Sequence, residues 1–118
     1  MRKIEALMNN AISNLNHGEV WKLDNTVVSV ADGIAFVFLH GNLIAEVGDN
    51  SIRLFDGGWQ TVTTKSRLNA ILSEHGLPGE KVFQKQQKWF VTVNGETVEF
   101  FSGMRLNWLN NINTLWSF

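Results

Sequence analysis

The sequence predicts an α+β fold, a meandering antiparallel sheet with helices against it. Three observations carry that reading. Residues 3–15 place Ile4, Leu7, Met8, Ala11, Ile12 and Leu15 at i, i+3, i+4 spacing, the stripe of an amphipathic helix. From Glu19 the period changes to two, across short segments rich in Val, Ile, Phe, Trp and Thr. A helical period returns near Thr64, where Leu68, Ile71, Leu72 and His75 share one face. A small, partly open barrel is the alternative arrangement of the same strands.

The elements follow in order. The first helix lies within residues 1–16, with Glu5 in its first turn, where a carboxylate suits the helix dipole, and Gly18 as its stop. A meander fills residues 19–63, with strands at 19–23, 26–31, 34–40, 43–47, 51–55 and 58–63. Its separators are Asp24-Asn25, Asp32-Gly33, Gly41-Asn42, Gly48-Asp49-Asn50 and Asp56-Gly57-Gly58, which supply the positive φ or local side-chain bond that tight hairpins require. Segment 34–40 is apolar on both faces, which predicts a central strand covered on both sides. The second helix spans 64–76, with Thr63 or Thr64 capping its start and Gly76 in a left-handed stop before Leu77 and Pro78. Strands at 81–86, 88–94 and 96–101 follow, the last two joined by Asn94-Gly95, a strong hairpin signal.

In the tail, residues 102–118, the side chains of Trp108, Leu109, Ile112, Leu115 and Trp116 would share a helix face. The asparagines at 107, 110, 111 and 113 are poor helix formers, so the helix expected there is short. Together with Phe118 these apolar residues form a candidate interface, since left in water they would favour association with a homodimer mate or a host protein. With no linker, low-complexity tract or repeat in view, residues 1–118 read as one domain.

Composition narrows the function classes. The 118 residues are 44% apolar, enough for a core, and 18% charged, below the roughly 25% of an average domain. A formal net charge of -1 gives no whole-molecule field toward DNA or an anionic membrane. Cysteine is absent, which excludes disulfides, thiolate metal sites and a cysteine nucleophile. The longest apolar run, Ile34 to Leu39, falls far short of the ~20 residues of a membrane helix. No continuous apolar stretch follows Arg2 and Lys3, so a signal peptide is not expected. These features suit a cytoplasmic protein.

Catalytic signals are weak. His17, His40 and His75 are far apart, and none sits in a metal spacing. His75, near a helix C-terminus, reads as a packing or capping residue, and His40 ends a strand beside a tight turn. No nucleophile elbow, phosphate loop or dinucleotide fingerprint occurs, and the scattered acids form no assignable acid–base pair. The chain is therefore read as non-enzymatic, with no metal and no cofactor.

Binding signals are stronger. The run from Gly58 to Leu72 leads from a strand into the second helix. Lys65 and Arg67 would fall in that helix's first turn, where cations cost about a few tenths of a kcal/mol each. Orphan N–H groups there, with the hydroxyls of Thr63, Thr64 and Ser66, would make an anion site. Trp59 would stack on a base or fill the core. Between residues 51 and 90, six cations face three acids, whereas residues 1–50 carry three cations against six acids. Lys81, Lys85 and Lys88 interleave with aromatics on a hairpin, a surface able to track a phosphate backbone and offer stacking. The same lysines equally suit protection of a sheet edge. The candidate nucleic-acid or anion-binding residues are thus Trp59, Thr64, Lys65, Arg67, Asn69, Lys81, Lys85 and Lys88.

Leu39-His40-Gly41-Asn42 with Ile44-Ala45, then Gly58-Trp59, Thr61, Thr63-Thr64-Lys65 and Arg67-Leu68-Asn69-Ala70, resembles a family of small proteins encoded by tailed bacteriophages. The Trp-Thr-Thr-Lys-Arg-Leu-Asn block is the specific part, and the likeness spans roughly residues 4–104, from the N-terminal helix and Asn25-Thr26 to Gly103-Met104. It implies a phage origin and expression inside an infected bacterium, and no activity. The leading expectation is an accessory protein that binds nucleic acid. The alternative is an inhibitor that binds a host or defence protein through exposed aromatics, by analogy with other small phage proteins. Salt dependence separates the two.

Overall fold

The computed structural model describes residues 2–107, and the tail candidates Trp108, Leu109, Ile112, Leu115, Trp116 and Phe118 lie outside the described residues. The first helix, α1 (Lys3–Asn14), forms as its stripe predicts, but the stripe is rotated. It buries Met8 and Ala11 together with the polar Glu5 and Asn9, and leaves Leu7 39% exposed. It ends at Leu15, in extended backbone, rather than at Gly18. Gly18 (φ +85°) instead lies in the turn before the next strand, donating its N–H to Val30 O at 2.8 Å.

Five strands then run as a meander: β1 (Val20–Leu23), β2 (Thr26–Ala31), β3 (Ile34–Leu39), β4 (Asn42–Val47) and β5 (Ser51–Leu54). The β3–β4 turn is His40-Gly41 (φ +51° and +79°), one residue earlier than expected. Residues 58–63 are not a strand. Gly57 (φ +69°) and Gly58 (φ +89°) turn the chain away from β5, and α2 (Val62–His75) begins sooner than the apolar stripe suggests. Its N-cap is Thr61, whose Oγ1 accepts from Thr64 N at 3.1 Å. Gly76 is extended (φ −87°, ψ −178°), not left-handed. Glycine is required there by contact, because a Cβ would lie 2.6 Å from Glu80 Oε1 and 2.7 Å from Leu72 O.

Residues 81–101 form a separate antiparallel sheet of β6 (Lys81–Lys85), β7 (Lys88–Val93) and β8 (Glu96–Glu99). The chain then returns as β9 (Met104–Asn107), which pairs antiparallel with β5. The first residues of the expected helical tail are therefore strand, with Met104 and Leu106 turned into the core by alternation. The larger sheet has the order β1-β2-β3-β4-β5-β9, an open sheet rather than a barrel. Both helices pack against it, and α2 also meets β6. Val28, Val37, Ile52, Leu54, Leu68, Ile71 and Leu72 fill the core between these layers. On β3 only Ala35, Val37 and Leu39 are fully buried. Ile34, Phe36 and Phe38, on the other face, are half-buried, because the helices cover one side of the sheet.

Asn94-Gly95 forms the expected tight turn, with φ of +53° and +76°. No atom would crowd a Cβ at Gly95, so backbone strain alone opposes substitution. Gly95→Val should cost about 1 kcal/mol or more, since a β-branched residue resists positive φ. A thermal melt lowered by about 4 °C or more is the expected reading. An unchanged melt contradicts the assignment.

Candidate nucleic-acid interface

The block that runs into α2 turns its arginine away from the helix start. Because the helix starts at Val62, Lys65 N already donates to Thr61 O at 3.0 Å as an ordinary helical bond. Arg67, in the second turn, points inward and is 3% exposed. Its Nη1 donates to Glu5 Oε2 at 2.8 Å, and Ser66 Oγ donates to the same oxygen at 2.6 Å. Arg67 Nε donates to Thr26 Oγ1 at 3.1 Å and Nη2 to Asn25 Oδ1 at 3.3 Å. Glu5, 2% exposed, also accepts from Arg2 N at 3.2 Å. Burial pushes the Glu5 carboxyl up, but the bonds from Ser66, Arg67 and the Arg2 backbone, with the Arg67 charge, outweigh it and hold the carboxyl below its usual value. This network ties α1, α2 and β2 together, so Arg67 is a structural residue.

Two other members of the block are structural as well. Thr64 is buried, its hydroxyl 2.9 Å from that of Thr61. Asn69 acts as a surrogate strand: its Oδ1 accepts from Val82 N at 2.7 Å and its Nδ2 donates to Val82 O at 2.8 Å. Lys65 is half-buried. Trp59 is 71% exposed, in the loop before α2 rather than on a strand, and it lines a cleft with residues of the β3–β4 turn. It does not join the hairpin lysines. His75 packs as expected: burial pushes its pKa down, against the Glu74 charge and a hydrogen bond with the Asn9 backbone.

The hairpin lysines do come together. Alternation along β6 and β7 puts Lys81, Phe83 and Lys85 on one face with Lys88 and Phe90, while Val82, Trp89 and Val91 are buried on the other. Lys85 pairs with Lys88 and Phe83 with Phe90 across the strands. The two phenyl rings stack at 5.7 Å between centroids and 27° between planes. Lys81 Nζ lies 5.9 Å from the Phe83 ring centroid, a cation–π distance. Like charges directly opposite one another are destabilising, so the Lys85–Lys88 pair has a cost that a bound anion would remove. Edge protection explains these lysines poorly, because the β6 edge at Val82 is already occupied by Asn69 and the lysines project from the face. The turn between them, Gln86-Gln87, holds two non-glycine residues at φ +52° and +67°.

Sequence reasoning missed Glu5, Asn25 and Thr26 as partners of Arg67. The available signal was a carboxylate at position 5 on the same helix face as Met8 and Asn9, where an unpaired charge would be too costly.

The fold and these sites define a small α+β scaffold, held by an internal ion pair and presenting a basic, aromatic sheet face. The chain belongs to the Kyanoviridae Gp96 protein family, a family of phage proteins, whose model matches residues 1–107. The match runs past Gly103-Met104 to the last residue of β9. No curated protein and no solved structure matches the chain. No helix among the described residues is long and apolar enough to cross a membrane, and no cluster of His, Asp or Glu there could hold a metal ion.

Proposed function

We propose that this phage protein is a non-enzymatic accessory factor that binds single-stranded nucleic acid on the exposed face of β6–β8, inside the infected bacterium. The observation that carries this reading is the grouping of Lys81, Lys85 and Lys88 around the stacked Phe83 and Phe90. Single-strand binding combines cations that follow the phosphates with flat side chains on which bases stack, with little demand on base identity. The net charge of -1 is no obstacle, because three lysines outnumber the one carboxylate paired with Phe90 on that face, Glu99, and screening cuts off distant charges beyond ~8–10 Å.

Fluorescence anisotropy with a labelled oligonucleotide tests this between 50 and 200 mM salt, a range typical of such measurements. Three phosphate contacts on a single strand should give a slope of log K against log salt near −2 (about −0.7 per phosphate). Exchanging all three lysines for glutamine should flatten that slope, and Phe90→Ala should weaken binding by about tenfold without changing it. Binding with no salt dependence, or unaltered in the lysine variant, overturns the reading.

A second reading, contact with a protein, is favoured by the half-buried Phe36 and Phe38 on the outer face of the larger sheet, with Leu43 beside Phe38. A host protein or a second copy of this chain held there would respond little to salt.

A further inference from the structure

We propose that the cleft beside Trp59, at the start of α2, binds a neutral hydroxylated ring, a pyranose sugar. This site is independent of the lysine face. The cleft measures about 370 Å³, within the range of small-molecule pockets. Its floor is apolar, formed by Leu39 and Ile44. Its rim carries His40, Asn42, Asp56, Thr61 and Thr63, and no Lys or Arg among the described residues lines it.

The exposed indole is the unusual element. Trp59 is 71% exposed, and Val62, at the start of α2, is 68% exposed. Of the two, Trp59 lines the cleft, where an exposed aromatic ring offers a flat stacking surface. The loop that carries Trp59 is built rather than loose. Asp56 Oδ1 accepts from Gly58 N at 2.8 Å, and Trp59 N donates to Asp56 O at 3.2 Å. Asp56 N donates to Ser102 Oγ at 3.2 Å, and Phe55 N to Ile44 O at 2.8 Å. Gly57 seats the loop against β4: a Cβ there would lie 3.2 Å from Asn42 Cβ and 3.3 Å from Ile44 Cγ2. The backbone that carries Trp59 is therefore fixed before any ligand arrives, which leaves mainly the side chain to order on binding.

The lining selects the ligand class. Without a cation, and with the Asp56 carboxylate on the rim, the cleft disfavours phosphates and other anions. Asp56 uses one carboxylate oxygen in its own turn, leaving the other to accept. Asn42 offers both a donor and an acceptor, and the Thr63 hydroxyl can do either. A pyranose presents one C–H face and a ring of hydroxyls, each both donor and acceptor. Its C–H face suits the indole and the Leu39–Ile44 floor, and its hydroxyls suit the rim.

Saturation-transfer NMR on the full chain tests this with three probes: methyl glucoside, N-acetylglucosamine and methyl galactoside. Adenosine serves as a phosphate-free nucleoside control. At least one sugar should bind saturably with a Kd of about millimolar, a scale appropriate to a single small ring. Trp59→Ala should weaken it by tenfold or more and Asp56→Asn by about threefold, while Trp59→Phe retains part of the binding. Trp59 is exposed, so the two Trp59 variants should melt within about 2 °C of the parent. The lysine-to-glutamine triple variant should bind the sugar as the parent does, which separates this site from the nucleic-acid face. The proposal is overturned by any of three results: no sugar binds, sugar binding survives Trp59→Ala, or adenosine alone binds.

Discussion

Replacing Arg67 with methionine should destabilise the protein by about 3–5 kcal/mol, a melting point lower by roughly 12–20 °C. The side chain is 3% exposed, and its removal leaves the Glu5 carboxylate buried without its counter-charge. Thr26 Oγ1 and Asn25 Oδ1 lose a donor at the same time. The loss reflects that stranded charge more than the worth of the pair itself. Exchanging both partners together, Glu5→Leu with Arg67→Met, should therefore recover most of it, since well-packed apolar replacements of a buried pair are often neutral. A single variant whose melt falls by less than ~4 °C, or a double variant as unstable as the single one, contradicts this account of the network.

The pH dependence has a definite sign. Glu5 is held below its usual value of 4.5 in the folded chain, so its contribution is complete above that value and is lost as pH falls through the lower folded one. In Arg67→Met, burial persists while the Arg67 bond and charge disappear, so the Glu5 carboxyl moves up. That variant should gain stability relative to the parent on acidification, as Glu5 becomes neutral. Denaturant melts at several pH values between 4 and 7, the span over which carboxylates of this kind titrate, read the difference.

Much of the fold was legible because two periods alternate along the chain. Met8 and Ala11 in α1, the β2–β3 pairing and the Asn94-Gly95 turn all follow from local pattern, and they are where the structure puts them. The misreadings arose where one residue serves two demands. Thr61 looked like strand but caps α2, since nothing in an alternating Trp-Gln-Thr-Val-Thr run distinguishes the two. Gly76 looked like a left-handed stop, whereas its role is to let Glu80 and Leu72 approach. The strand at Met104 and Leu106 was not expected, because the run is short and its partner β5 lies some fifty residues earlier, so local sequence does not announce the pairing. The candidate site divided along the same line. Lys81, Lys85 and Lys88 were legible because a hairpin fixes which side chains share a face. Arg67 was not, because its partner Glu5 is 62 positions away, and a basic residue in an isolated helix reads as solvated.

Trp89→Ala should cost about 3–5 kcal/mol and detach the small sheet before the rest of the protein unfolds. Trp89 is 3% exposed and meets Phe100 edge to face, at 5.3 Å and 75°. Phe100 N also donates to Trp89 O at 3.0 Å, so the indole anchors both β7 and the segment leaving β8. A sheet this small needs a hydrophobic face or a helix against it, and this one depends on its buried face and on the Asn69–Val82 bonds to α2. The six-stranded sheet has its own contacts with α1 and α2 and should keep its protection. Hydrogen exchange separates the two: the Val82 and Val91 amides should exchange faster in Trp89→Ala, whereas Val28 and Val37 stay close to the parent. If the proposed function holds, nucleic-acid binding should fall with the sheet even though all three lysines remain, because the sheet no longer holds them on one face with Phe83 and Phe90. Trp89→Phe, which keeps an aromatic against Phe100, should restore much of both. Uniformly faster exchange across both sheets would show instead that the small sheet and the large one unfold as one unit, and that the lysine face has no separate support.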